Sequence, residues 1–103
     1  MLNTLKKWFG GNKTNITQLI KEGSVILDVR TKSEYASGHV EGSINVPLNE
    51  LNGYLKMLKK DNSIITCCAS GMRSSSAVKI LKSAGFEVYN GGSWTSVQSK
   101  ILK

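Results

Sequence analysis

The sequence predicts an α/β fold built on a mainly parallel sheet, on three observations. Short β-branched runs alternate with stretches of helical spacing. Helix-like stretches separate the strand-like runs, and successive parallel strands joined through a helix form right-handed crossovers. The 103 residues suffice for one core but are too few to divide into two.

Taken in order, Ile16, Leu19 and Ile20 share one helical face within Asn15 to Glu22, and Gly23 is a natural terminator. Ser24 to Val29 then reads as a buried strand. Thr31 and Glu34 form a capping box, which predicts a short helix over Lys32 to Ser37 stopped by Gly38. Ser43 to Val46 is a second strand, closed by Pro47. Leu48, Leu51, Leu55 and Leu58 predict a helix over Leu48 to Leu58, and Lys59 to Asn62 a turn. Ser63 to Cys67 is the third strand. Ala77, Val78, Leu81 and Ala84 mark a helix from about Ser74 to Ala84, with Gly85 at its C′ position. Phe86 to Tyr89 is a fourth strand, Asn90-Gly91-Gly92 a turn, and the remainder a last helix. Ahead of the domain at 14–103, residues 1–13 form an extension in which Leu2, Leu5, Trp8 and Phe9, with Lys6, Lys7 and Lys13, suit a small amphipathic helix packed on the domain.

Composition narrows the function. An apolar fraction of 40% and a charged fraction of 20% are ordinary for a globular domain, and no apolar stretch approaches a membrane span. With no signal peptide, the expected location is the cytoplasm, as a monomer without stable membrane association. The net charge of +7 comes from lysines scattered over most helices, whereas a nucleic-acid binder groups them on a stripe with aromatics between. The expected partner is therefore a small anion and not nucleic acid. Cys67 and Cys68 are adjacent, a poor geometry for a structural disulfide and too few residues for a metal site, so no metal or cofactor is expected.

In an open parallel sheet, ligands bind beyond the C-terminal strand ends. Only the junction Cys68-Ala69-Ser70-Gly71-Met72-Arg73 there carries a nucleophile, a glycine and an arginine together. Wrapped onto a helix N-terminus, its backbone N–H groups and the helix dipole form a cradle for an anion. The nearest anion is the Cys68 thiolate, whose pKa such surroundings lower from about 8.5. Gly71 permits a tight turn, and Arg73 offers a planar fork for an oxyanion. Cys68 is thus the candidate nucleophile, with Ala69, Ser70, Gly71, Met72 and Arg73 as the substrate-binding loop.

Asp28, Arg30, Glu34 and His39 read as scaffold. Asp28 is expected to receive loop N–H groups, Arg30 to pair with an acid such as Glu34, and His39 to act as a hydrogen-bonding pin. Cys67 precedes Cys68 in a strand, so its side chain should point to the opposite face and be buried.

The chain resembles the rhodanese-like family in Val25-Ile26-Leu27-Asp28-Val29-Arg30, in Glu34-Tyr35, and in Gly38-His39-Val40-Glu41-Gly42-Ser43-Ile44-Asn45-Val46-Pro47. The Cys68-x-x-Gly71-x-Arg73-Ser74 loop and Gly85-Phe86-x-Val88-x-x-Gly91-Gly92 extend the likeness over residues 14 to 97. Trp94 departs from it, standing closer to Gly92 than the family's usual aromatic. The resemblance implies a sheet of about five strands flanked by helices. It also implies ping-pong transfer of a sulfane sulfur, from thiosulfate or a persulfide to a thiol acceptor such as a protein thiol, through a Cys68 persulfide. Two rivals stand beside it. Phosphatases and arsenate reductases of this fold place cysteine six residues before arginine, a separation that Cys67 has from Arg73. Their glycine falls three after the cysteine, as Gly71 does from Cys68. The other rival is a non-catalytic binding module of the same family.

Overall fold

The computed structural model describes residues 15–102; the expected amphipathic extension lies outside them. Helix α1 (Ile16–Lys21) is capped by the Asn15 side chain and leads into β1 (Val25–Asp28). Helix α2 (Lys32–Ser37) follows, with both hydrogen bonds of the Thr31–Glu34 capping box in place, then β2 (Ile44–Asn45). After α3 (Leu51–Tyr54) come β3 (Ile64–Cys68), α4 (Met72–Ser83), β4 (Val88–Ser93) and α5 (Trp94–Ile101). The four strands pair in parallel in the order β2-β1-β3-β4.

The sheet buries both faces. Alternation along β3 sends Ile64 and Cys68 into one core, with Leu27, Val29, Leu51, Ala77 and Leu81. It sends Ile65 and Cys67 into the other, with Ile16, Ile26, Val40 and Val97. α3 and α4 therefore cover one face, and α1 and α5 the other. Leu27, Leu51, Ile65 and Leu81 are fully enclosed, each worth roughly 1.5–3 kcal/mol of apolar burial.

Three expectations need correction. The sheet has four strands among the described residues, the four that the local patterns mark, against the five implied by resemblance. The segment from Leu48 to Leu58 is not one helix: 3₁₀ turns at Leu48–Glu50 and Leu55–Met57 flank α3. Gly53 weakens a continuous α-helix, and the three-residue spacing of Leu48, Leu51 and Tyr54 suits three residues per turn. All three residues pack into the first core. Finally, Asn90-Gly91-Gly92 is no turn but lies within β4. A Cβ on Gly91 would meet Val97 at 2.7 Å, Ile65 at 2.8 Å and the Thr66 carbonyl at 2.9 Å, and Gly92 takes φ +85° where the pairing with β3 shifts register. These glycines serve close packing and a bulge.

The chain runs from β1 out to β2, then crosses back to β3 and onward to β4. The strand order thus reverses between β1 and β3, the place where such sheets bind ligands. The ends of those two strands carry Asp28 and Cys68.

Candidate active site

Cys68 is the last residue of β3, and α4 begins four residues later at Met72, two residues before the position that periodicity suggests. Gly71 makes the intervening turn at φ +103°, a conformation that any side chain would strain. The result aims backbone donors at sulfur: Gly71 N–H reaches Cys68 Sγ at 3.0 Å and Ser74 N–H at 3.4 Å, with Ser74 Oγ at 3.6 Å. Burial raises the Cys68 pKa. The Ser74 hydroxyl and the N–H groups of Ser74, Gly71 and Ser70 more than offset it, so the thiol falls below its ordinary value. Cys67 has no such donors. Burial, followed by the charge of Asp28, pushes its thiol up to about 12, and its side chain sits in the opposite core.

Two residues outside the predicted set complete the cradle. Ser74 is fully buried and donates from Oγ to Asn90 Oδ1 at 2.7 Å. Asn90 Oδ1 also accepts from Gly92 N–H at 2.9 Å, while its Nδ2 donates to the Gly71 carbonyl at 3.3 Å. Asn90 thus ties β4 to Gly71 and to the first turn of α4. Ser74 was visible in the sequence as the residue closing the loop motif. Asn90 was hidden inside what read as a turn.

The remaining predicted residues divide. Ala69, Ser70 and Met72 are exposed at the mouth of the loop. Arg73 directs its fork at Glu34, with Nη1–Oε1 at 2.8 Å and Nη2–Oε2 at 3.0 Å. The Glu34 carboxylate is thereby the partner of Arg73, while Arg30 reaches Glu34 only at its carbonyl. Arg30 instead holds Asp28, Nη2–Oδ2 at 2.7 Å and Nε at 3.0 Å from both oxygens, and Asp28 Oδ1 accepts the Arg30 N–H as expected of a strand-end carboxylate. The Arg73 ion pair, backed by N–H and O–H donors from Thr31, lowers the Glu34 carboxyl to about 2. His39 stacks on Tyr35 at 3.7 Å and donates from Nδ1 to the Tyr35 carbonyl at 2.7 Å, the geometry of a pin. Trp94 lies under Arg30, 4.9 Å from its guanidinium.

The arrangement can stabilise one anionic sulfur by amides at a helix start, and a persulfide extends that anion by one atom. A cysteine paired with Arg73 at the phosphatase separation would be Cys67, whose sulfur faces away. Among the described residues no cluster of His, Cys, Asp and Glu could hold a metal ion, and no helix is long and apolar enough to cross a membrane.

Comparison with known proteins places the fold and the family. A family model described as the rhodanese-like domain matches residues 12–100. The thiosulfate sulfurtransferase GlpE of Pseudomonas fluorescens is 33% identical over 73 residues, covering 70% of this chain and 67% of that protein. The putative sulfur carrier protein YrkF of Bacillus subtilis is 37% identical over 62 residues, 60% of this chain. The chain spans only 34% of the length of YrkF. Among solved structures, a rhodanese-related protein from Thermoplasma volcanium superposes with a TM-score of 0.71 at 30% identity, over 84% of this chain and 88% of that one.

Proposed function

The chain belongs to the rhodanese-like domain family, and on that premise we propose that it is a sulfurtransferase whose nucleophile is Cys68. The observation that carries this reading is the ring of amide donors on Cys68 Sγ, with Gly71 N–H at 3.0 Å. The Cys68 thiolate attacks the outer sulfur of thiosulfate or a persulfide. The donor's S–S bond breaks, sulfite or a thiolate leaves with the bonding pair, and a Cys68 persulfide anion remains in the cradle. A thiol acceptor, small or on a protein, then takes the outer sulfur and returns the thiolate. Cys68 has no exposed surface, so access of the donor to its sulfur requires the exposed residues of the loop above it to move aside.

Similarity to the sulfurtransferase GlpE and to a sulfur carrier supports the reaction class. Arg73 contributes to donor binding at the loop's rim, in exchange with Glu34. The test is mass spectrometry of the intact chain and its peptides after incubation with thiosulfate. The expected result is a gain of about 32 Da on the Cys68 peptide, reversed by a thiol. Absence of the adduct with every sulfane donor, together with turnover of an aryl phosphate, would replace this reading with the phosphatase.

A further inference from the structure

A single hydroxyl proton stands between two acceptors beside the Cys68 sulfur. Ser74 is fully buried, with its Oγ 2.7 Å from Asn90 Oδ1 and 3.6 Å from Cys68 Sγ. The orientation of the Asn90 amide is fixed by its other bonds: its oxygen accepts from Gly92 N–H at 2.9 Å, and its nitrogen donates to the Gly71 carbonyl at 3.3 Å. A flipped amide would set donor against donor and acceptor against acceptor at those two places. An amide oxygen only accepts, so the Ser74 proton points to Asn90. Ser74 then presents a lone pair to sulfur, and the Cys68 S–H donates to it. The thiol form is a complete chain from Sγ through Oγ to Oδ1.

A thiolate reverses the demand. It has no proton to give, and the Ser74 hydroxyl serves it only by turning its proton from Asn90 to sulfur. Oγ and Oδ1 then face each other as two acceptors and must part, which loosens the Asn90 hold on the Gly71 carbonyl.

We propose that Asn90 is a positioning residue for sulfur transfer: its side-chain oxygen takes the Ser74 proton while Cys68 is a thiol and yields it when the attacking thiolate forms. The proposal rests on the sulfurtransferase reading above for the step that the thiolate serves. The thiol proton leaves to solvent, because an amide oxygen is too weak a base to hold it, and the hydroxyl keeps its own proton and only turns. Competition by Asn90 therefore opposes ionisation, whereas a residue that merely supported the cradle would favour it. The other titratable groups around Cys68 take no part in the exchange. Cys67 on β3 and Tyr89 on β4 face the other core, and Tyr54 of α3 packs against the Cys68 core. Asp28 is paired with Arg30, and Glu34 of α2 with Arg73 of α4.

Alkylation of Cys68 by iodoacetamide, located by peptide mass spectrometry and followed against pH, reads the competition. Asn90 is exposed at the rim, where substitution spares the core. Asn90→Ala should lower the midpoint by on the order of half a pH unit, because Ser74 is left with sulfur as its acceptor. In a Ser74→Ala background the same substitution should move nothing. A midpoint that rises or stays in Asn90→Ala, as loosened amides would give, overturns the proposal, and so does an equal fall in both backgrounds. A second readout needs no variant: in nitrogen-edited NMR spectra of the wild type, the Asn90 side-chain N–H signals should move with the Cys68 midpoint as the Gly71 bond weakens. Signals constant through that midpoint overturn the proposal as well. Failure of every sulfane donor to add sulfur to Cys68 would instead strike the sulfurtransferase reading, and the alkylation midpoints would still decide on Asn90.

Discussion

Cys67 and Cys68 differ by one residue and by everything that matters to a thiol. Alternation along β3 gives one an apolar core and the other a ring of N–H donors. With Cys67 held up near 12 and Cys68 below its ordinary value, alkylation at neutral pH should fall on Cys68 alone, whenever the loop admits reagent. Because the Cys68 pKa is depressed, its thiolate persists below the range of an ordinary cysteine and is lost as pH falls through the lowered value. Activity should decline on that acid side. Ser74→Ala removes the hydroxyl that stands 3.6 Å from Sγ and fixes Asn90, and should move the midpoint of the alkylation profile to higher pH. An unmoved midpoint would show that the amides alone set it. Cys68→Ser should abolish transfer. Cys67→Ala should keep most of it, at a cost of no more than about 1 kcal/mol. Loss of activity in the Cys67 variant with an intact fold would reverse the assignment of the nucleophile.

Elements rather than single residues decide how rigidly the loop is held. The Thr31–Glu34 capping box does double service: it starts α2 and presents Glu34 to Arg73 at the start of α4. Since Glu34 is held down to about 2, the contribution of this link is complete above the ordinary carboxylate range and disappears as pH drops toward that value. Glu34→Gln keeps an acceptor for the cap but weakens the ion pair, so it should raise kcat/KM for thiosulfate by freeing Arg73. A fall in that value would mean that Arg73 works only while Glu34 orients it. The cap was legible in the sequence because its parts lie three residues apart. The Arg73 link was not, because its partners are 39 residues apart and only the fold brings them together. The same holds for β4, where local chemistry spells a turn at Asn90-Gly91-Gly92 and tertiary packing overrides it. Gly91→Ala forces a methyl group against Val97, Ile65 and the Thr66 carbonyl, and denaturant melts should show a loss of about 1–3 kcal/mol. A neutral result would mean that the strands part freely at this bulge.

At the scale of the molecule, the order of elements and the position of the Cys68 loop between a strand end and a helix start are readable from alternation and from the loop motif, since both are local patterns along the chain. What ties that end of the sheet together is not, because it is one buried cation reaching several elements. Arg30 is 4% exposed and bonds Asp28 on β1, the Gly38 carbonyl after α2 at 2.7 Å and the Glu34 carbonyl at 3.3 Å, while its guanidinium lies over Trp94 at the start of α5. Arg30 therefore fastens the end of α2 and the start of α5 to the strand beside the one that carries Cys68. Removing it leaves Asp28 as an unpaired carboxylate in the core, a loss of about 3–5 kcal/mol. For a domain of this size Arg30→Ala should lower Tm by at least ~12 °C. Arg30→Lys keeps the charge without the fork and should fall between. The diagnostic measurement is a double-mutant cycle, because deleting both charges as Asp28→Leu with Arg30→Met leaves neither one stranded. The double variant should melt above the Arg30→Ala protein, with strong non-additivity between the single substitutions. If instead the two losses simply add, the pair is not coupled, and the rigidity of the Cys68 end must come from the Trp94 and carbonyl contacts of Arg30 alone.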